Sequence, residues 1–413
     1  MSSPPLCRFC RTPLTQTFVD LGRQPLANSY LTPEQLQAGT EQAFPLHARV
    51  CGRCFLVQVD DVVPAEAIFD AEYAYFSSYS AGWVEHARRY AQSMTERFGL
   101  GPESLVVEVA SNDGYLLQHF LAMDVPVLGI EPTANTAEAA RERGVHTEVL
   151  FFNAQTGQML AARGQRADLM AANNVLAHVP DINDFMAGFR HVLKPEGVLT
   201  FEFPHLLNLI EKVQFDTIYH EHFSYLSLLA VEQVLRANGL RAFDVEVLPT
   251  HGGSLRLFCA QQASGHEETD PLRALRAREA AAGLDRIETY GGFTPRVEAV
   301  RDSFRGFLDK VKAEGATLAA YGAAAKGNTF LNYCGTTAAQ VTAAYDANPA
   351  KQGRFLPGSH VPIFSPQTVV EQRPDYVLIL PWNLKDEVMH QLAFIRDWGG
   401  RFVTASPETR VLD

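Results

Sequence analysis

The 413-residue chain predicts an α/β protein in three parts: a small four-cysteine module, a central domain on seven strands, and a smaller doubly wound α/β domain at the C-terminal end. Three observations predict it. Two C-x-x-C pairs, Cys7/Cys10 and Cys51/Cys54, stand near the start. From residue 106 short apolar strands alternate with short helices, the pattern of a parallel sheet covered on both faces. From residue 317 the alternation starts again. The expected boundaries are 1–70, 71–265 and 266–413, since a chain this long needs more than one core.

The cysteines come first. In a reducing compartment, two such pairs in turn-rich contexts build a tetrahedral zinc site rather than disulfides. Four thiolates close the coordination shell, so the zinc is expected to hold the fold and do no chemistry. Between the pairs lie a strand-like run at 14–21 and a polar excursion at 32–42. Cys259 and Cys334 have apolar surroundings and read as core.

A connector rich in tyrosine follows (Tyr73, Tyr75, Phe76, Ser77, Ser78, Tyr79), then an amphipathic helix over 83–97 stopped by Gly99. Strands are expected at 106–110, 127–131, 146–149, 169–175 and 198–203, with helices at 114–123 and 134–143. The segments 240–249 and 254–261, joined by Thr250-His251-Gly252-Gly253, read as a hairpin that completes seven strands. A charged, alanine-rich helical linker covers 266–285, and a long amphipathic helix covers 293–314. The last domain is expected to be half-sized, with strands at 317–321, 341–345 and 375–380.

Composition narrows the function. The chain is 46% hydrophobic and 20% charged, with a net charge of −12. Such acidity disfavours nucleic acid and membrane surfaces as partners. No signal peptide and no stretch long enough to span a bilayer is found. The expectation is a cytoplasmic protein with neither partner, working as a monomer or weak homo-oligomer.

The first strand, which carries Glu108, runs into Ala110-Ser111-Asn112-Asp113-Gly114. A small residue and a glycine at such a turn let backbone amides approach a ligand. The second strand ends at Glu131, followed by Pro132, where a carboxylate can accept ribose hydroxyls. Ala110 and Asn112 replace the first two glycines of G-x-G-x-x-G, which disfavours a nicotinamide cofactor and favours S-adenosylmethionine. Phe151 and Phe152 follow the third strand and are assigned to the same site. Asn173 and Asn174 end the fourth strand at the carboxyl edge of the sheet; helix capping is their competing reading.

Tyr219-His220-Glu221-His222-Phe223-Ser224-Tyr225 crowds titratable groups among aromatics. Three readings compete: an acid/base pair, a metal site through His220 and His222 that lacks the H-E-x-x-H spacing, and a buried polar network. The stretches E-V-A-S-N-D-G at 108–114, N-N-V-L-A-H-V at 173–179, Y-H-E-H-F-S-Y at 219–225, H-G-G-S-L-R at 251–256 and Y-G-A-A-A-K-G-N at 321–328, with the cysteine pairs and the tyrosine connector, resemble the zinc-containing sugar C-methyltransferases of deoxysugar biosynthesis. The match spans nearly the whole chain in order.

The resemblance implies a Rossmann-like class I methyltransferase domain using S-adenosylmethionine. It implies a dTDP-linked 4-keto-6-deoxysugar as substrate, methylated at carbon 3 or, less often, carbon 5, for branched sugars of the antibiotic type. By the same resemblance His222 is the general base. Glu221, Tyr219, His178 and one of Tyr73 or Tyr75 join it, with His178 and tyrosine hydroxyls as enolate donors and Glu221 orienting His222. Substrate contacts are expected from Tyr79, His205 and His251.

In the last domain, Tyr321 to Asn328 reads as a strand, a small-residue turn and a helix start. Ala324 admits a phosphate to the helix N-terminus and Lys326 neutralises it. Asn328, Asp346, Lys351 and His360 complete the expected nucleotide-sugar set. The rival classes are an O- or N-methyltransferase on a nucleotide sugar, a non-catalytic nucleotide-binding scaffold, and a metal-dependent hydrolase.

Overall fold

The computed structural model describes residues 4–60, 62 and 76–412. Its framework is three sheets. The central one has seven strands in the order Leu240–Leu248, Ser254–Gln261, Leu193–Pro204, Ala167–Asn173, Val106–Val109, Val127–Glu131 and Thr147–Val149. The five strands from 106 to 204 run parallel, and the expected hairpin adds the two antiparallel ones. Val106–Val109 is buried along its whole length, as a strand covered by helices on both faces must be. The helix before it spans Ala81–Phe98; the Ser80 hydroxyl accepts from Trp83 N–H, and Gly99 ends it in a left-handed conformation.

The N-terminal module is an antiparallel sheet of Gln16–Gln24, Phe44–Val50 and Val57–Val59, with a fourth strand borrowed from residues Ser224–Tyr225. Val57 pairs with Tyr225 and Gln58 with Ser224. The crowded stretch of the central domain is thereby stitched into the module, a crossing that the expected boundary at residue 70 does not convey. The polar excursion holds a short helix, Pro33–Ala38, started by a capping box between Thr32 and Gln35.

The C-terminal sheet is larger than expected. Six strands run in the order Ile363–Phe364, Ala344–Tyr345, Leu318–Tyr321, Tyr376–Ile379, Arg401–Thr404 and Arg410–Leu412. The strands not expected, Ile363–Phe364, Arg401–Thr404 and Arg410–Leu412, are two to four residues long, too short for a period to show clearly. One apolar core runs from the N-terminal sheet through residues 206–225 and the long helix Phe293–Ala313 into this sheet. Phe18 stacks on Phe293 at 4.4 Å within it, and fully burying such side chains contributes about 2–3 kcal/mol each.

The charged linker also differs from its expectation. In the helix Asp270–Ala281, Glu279 is 2% exposed. Its carboxylate accepts from Leu228 N–H at 2.7 Å and Leu229 N–H at 2.8 Å, capping the helix Leu228–Ala237. No helix among the described residues is long and apolar enough to cross a membrane.

Candidate active site and metal centre

The four cysteines of the two pairs come together. Their Sγ atoms all lie within 4.8 Å of one another, the one group among the described residues that could hold a metal. Adjacent sulfurs are 3.4–3.6 Å apart, close to the spacing of about 3.8 Å for a tetrahedron of Zn–S bonds of about 2.3 Å. Gln58 supports the cluster, its Nε2–H donating to Cys7 Sγ at 3.2 Å and its Oε1 accepting from Arg8 N–H at 2.8 Å. Four soft thiols packed this closely suit zinc and leave no position for a substrate. Cys259 and Cys334 are buried elsewhere and free of disulfides.

At the carboxyl edge of the central sheet, the chain leaves the first strand through positive φ at Ala110 (57°), Asn112 (49°) and Gly114 (76°). For alanine this conformation costs roughly 1–2 kcal/mol. A Cβ on Gly114 would come within 3.0 Å of Val145, so this glycine serves packing as well as the turn. Glu131, 4% exposed, reaches back: Asn112 N–H donates to its Oε2 at 2.8 Å and Thr133 N–H to its Oε1 at 2.9 Å. Around this turn Glu108 Oε2, Ser111 Oγ, Asp113 Oδ1, Asn173 Oδ1 and Asn174 Oδ1 are buried without hydrogen-bond partners. Burial pushes the Glu108 carboxyl well up. A cluster of orphaned acceptors at a sheet edge suits a ligand rich in hydroxyl and ammonium donors, as S-adenosylmethionine is.

Asn173 and Asn174 do not cap a helix: Asp181 caps the next one, accepting from Asn183 and Asp184 N–H. Phe152 turns inward, 4.6 Å from the Phe189 ring, and is core; Phe151 and Pro132 keep solvent access, Phe151 at 49%. The connector closes over the turn, Ser77 N–H donating to Asn112 Oδ1 at 2.9 Å and Ser78 bonding Asp113. Tyr79 is 75% exposed and stacks on Phe76. Tyr73 and Tyr75 lie outside the described residues.

The crowded stretch resolves into separate roles. His222 Nδ1 lies 2.9 Å from the Thr217 carbonyl, which can only accept, so Nδ1 carries the proton. Nε2 is then the acceptor, and the Tyr219 hydroxyl donates to it at 2.8 Å. Burial, then the neighbouring His178, holds the His222 pKa well down, so the ring is a neutral base at neutral pH. His178 lies 4.7 Å away, ring to ring, and donates from Nδ1 to the Glu221 carbonyl at 2.8 Å. Burial lowers its pKa to about 4. Its Nε2 therefore carries no proton, which corrects the expected donor role. Tyr219, His222 and His178 all keep partial solvent access, as groups facing a recess do.

Glu221 also departs from expectation. Its carboxylate accepts from Asn28 Nδ2 at 2.7 Å, and the Thr217 carbonyl, not Glu221, orients His222. Burial raises the Glu221 carboxyl to about 7. The His220/His222 metal reading fails on geometry, since His220 Nε2 bonds the Pro45 carbonyl at 3.1 Å while His222 bonds Thr217.

The C-terminal set is largely taken up by protein partners. The Ala323 carbonyl, just before Ala324, accepts from Tyr30 and, at 2.8 Å, from Lys351 Nζ. Asp346 Oδ2 accepts Ala323 N–H at 2.7 Å. Asn328 Nδ2 donates to Ala27 O at 2.6 Å, and His360 Nε2 pairs with Glu41 at 2.8 Å. These bonds dock the N-terminal module onto the last domain. Lys326 bonds Asn383 and lies 4.7 Å over the Trp382 ring; burial lowers its pKa, and its charge is one of the influences depressing His222. It therefore faces the histidine recess. His205 is 1% exposed and spent on Glu279 at 2.7 Å, a structural pair rather than a substrate contact. His251, at a positive φ of 52°, stands edge-on to Trp83 at 5.3 Å. Asn28 and Trp382 had no local signal, because their partners Glu221 and Asp216 are 193 and 166 positions away.

Comparison with known proteins bears on this arrangement. The chain is 37% identical to C-methyltransferase NovU of Streptomyces niveus over 406 residues, covering 98% of this chain and 96% of that one. The chain belongs to the C-methyltransferase family. Family models match in the same order: "Putative zinc binding domain" at 7–69, "Methyltransferase domain" at 83–245 and "C-methyltransferase C-terminal domain" at 249–407. The family assignment and the site together make this an S-adenosylmethionine-dependent C-methyltransferase with a structural zinc centre. A ubiquinone biosynthesis O-methyltransferase of Rhodopseudomonas palustris (strain BisA53) is 25% identical over 158 residues, 33% of this chain and 62% of that one. Among solved structures, magnesium protoporphyrin IX methyltransferase of Synechocystis PCC 6803 gives a TM-score of 0.33 at 14% identity, covering 48% of this chain and 88% of that one. That level of likeness adds nothing to the assignment.

Proposed function

We propose that the protein methylates a carbon α to the 4-keto group of a dTDP-linked deoxysugar, carbon 3 by preference, through an enolate formed by His222. The observation that carries the reading is the neutral His222 ring, with Nδ1–H on the Thr217 carbonyl and a basic Nε2 beside the Tyr219 hydroxyl. Bound S-adenosylmethionine supplies an electrophilic methyl group on its sulfonium. Asn173, Asn174, Ser111 and Asp113 offer it acceptors, and Glu131 holds the turn beneath it.

An imidazole faces a carbon acid across a gap of about a dozen pKa units, about 16 kcal/mol. Burial lowers the His222 pKa, which keeps the ring unprotonated but weakens it further as a base. Stabilising the enolate oxygen therefore matters more than base strength. Substrate entry displaces the Tyr219 hydroxyl from Nε2; that hydroxyl then donates to the enolate oxygen while Nε2 takes the α proton. Lys326 adds a positive charge from the last domain. Fixed placement supplies much of the remaining acceleration.

The dTDP and sugar assignments rest on the motif resemblance, and the nucleotide is assigned to the last domain on the same ground. Action in the cytoplasm accords with the thiol-rich centre; a monomer or weak homo-oligomer is proposed with it.

The test is proton exchange in deuterium oxide with a dTDP-4-keto-6-deoxysugar. Wild type is expected to introduce deuterium next to the ketone without the cofactor and to give a new C-methyl signal with it. His222→Ala is expected to lose both by about 10³-fold while still binding both ligands. Absence of exchange together with methylation at oxygen or nitrogen would overturn the reading.

A further inference from the structure

The base is aimed from outside its own domain. Thr217, whose carbonyl holds His222, ends the short 3-10 turn Phe215–Thr217. Three contacts from the last domain clamp that turn. The Trp382 indole N–H donates to Asp216 Oδ2 at 2.6 Å. The Thr329 hydroxyl donates to the Ile218 carbonyl at 3.1 Å. The Phe215 ring lies 5.3 Å from Tyr333 and 6.0 Å from Phe330.

Asp216 is 2% exposed, so losing the indole N–H leaves a buried carboxylate short of a donor. The indole itself is locked. A Cβ on Gly252 would come 2.4 Å from its ring, and the Lys326 ammonium sits over its face.

We infer that Trp382 is a positioning residue for the reaction: through Asp216 and the Thr217 carbonyl it fixes the tautomer and aim of the His222 ring. The inference rests on His222 being the base. It makes the last domain part of the catalytic apparatus, whatever share it takes in nucleotide binding. A ring rotated by a loosened turn would point Nε2 away from the carbon acid, and a misplacement of about 1 Å costs about 10²-fold in rate.

Trp382→Phe tests it, keeping an aromatic ring and removing the N–H. In the full-length zinc-loaded protein, kcat is expected to fall about 10- to 100-fold with cofactor KM unchanged. The His222 ring proton, followed by NMR against pH, is expected to titrate closer to an ordinary histidine as the ring gains water. The groups facing it are His178, His251, Lys326 and Tyr219. Asp216→Ala breaks the same bond from the other end and serves if Trp382→Phe does not fold. Asp216→Asn, which keeps an acceptor for the indole, is expected to stay within about threefold of wild type. Wild-type kcat and an unmoved His222 titration in Trp382→Phe or Asp216→Ala would overturn the inference. His222→Ala is measured alongside: wild-type turnover there removes the base, while the titration still decides positioning.

Discussion

Two turns in this chain look alike and do different work. Each follows the first strand of a parallel sheet, each is built from small residues, and each is held by a carboxylate from the end of the neighbouring strand. Glu131 accepts Asn112 N–H at 2.8 Å in the central domain; Asp346 accepts Ala323 N–H at 2.7 Å in the last. The surroundings differ. The central turn is ringed by buried acceptors with no protein partner. At the other, the Ala323 carbonyl is claimed by Tyr30 and Lys351, and Lys326 by Asn383. One turn is left with unmet acceptors; the other is also bonded to the N-terminal module. A strand, a small-residue turn and a helix start therefore mark a place where backbone can be approached closely, without saying whether a ligand or another segment approaches it.

A third carboxylate sharpens the contrast and gives the largest expected effect. Glu221 accepts from the Asn28 side chain, and burial raises it from 4.5 to about 7. A raised folded-state pKa means stability fully present below the unfolded value and lost as pH rises through the folded one. Set against the opposite slope of the buried neutral His178 and His222, the Glu221 share of the stability measured in urea is expected to fall between about pH 5 and pH 8, by up to about 3 kcal/mol. Glu221→Gln is expected to flatten that slope; a wild-type slope in the variant would show that another group sets it.

Next comes the pair that tests the two turns directly. Glu131→Ala is expected to weaken S-adenosylmethionine binding about 100-fold by calorimetry, because the turn loses a charged acceptor of two N–H groups. Asp346→Ala is expected to leave cofactor affinity unchanged while lowering stability by about 2 kcal/mol in urea. Equal losses of cofactor affinity in both would break the comparison. The smallest effect is expected from Tyr30→Phe, about 1 kcal/mol of stability with binding unaltered.

Much of the fold was legible. The hairpin 240–261, the helix stopped at Gly99 and the seven-strand sheet follow from period, turn residues and glycine placement. The four cysteines were legible as one site because metal ligation constrains spacing so tightly. His222 stood out because titratable groups rarely crowd among aromatics without a use. The finer assignments fared differently. The sequence suggests Glu221 as the partner of His222, yet adjacent residues in a turn point apart, and the Thr217 carbonyl holds the ring. The sequence suggests Lys326 as a phosphate ligand, and does not reveal its contacts with Trp382 and Asn383. His205 and Asn328 looked like polar site residues and are buried structural bonds.

Sequence alone determined most of the elements of the central domain, the metal ligands and the family, because periodicity, capping and ligand spacing act over a few residues to a few tens. Only the tertiary structure decided which polar groups meet. Asn28 with Glu221 and Trp382 with Asp216 are contacts between residues 193 and 166 positions apart, and a hydrogen bond depends on a distance of about 3 Å between atoms, not on separation along the backbone.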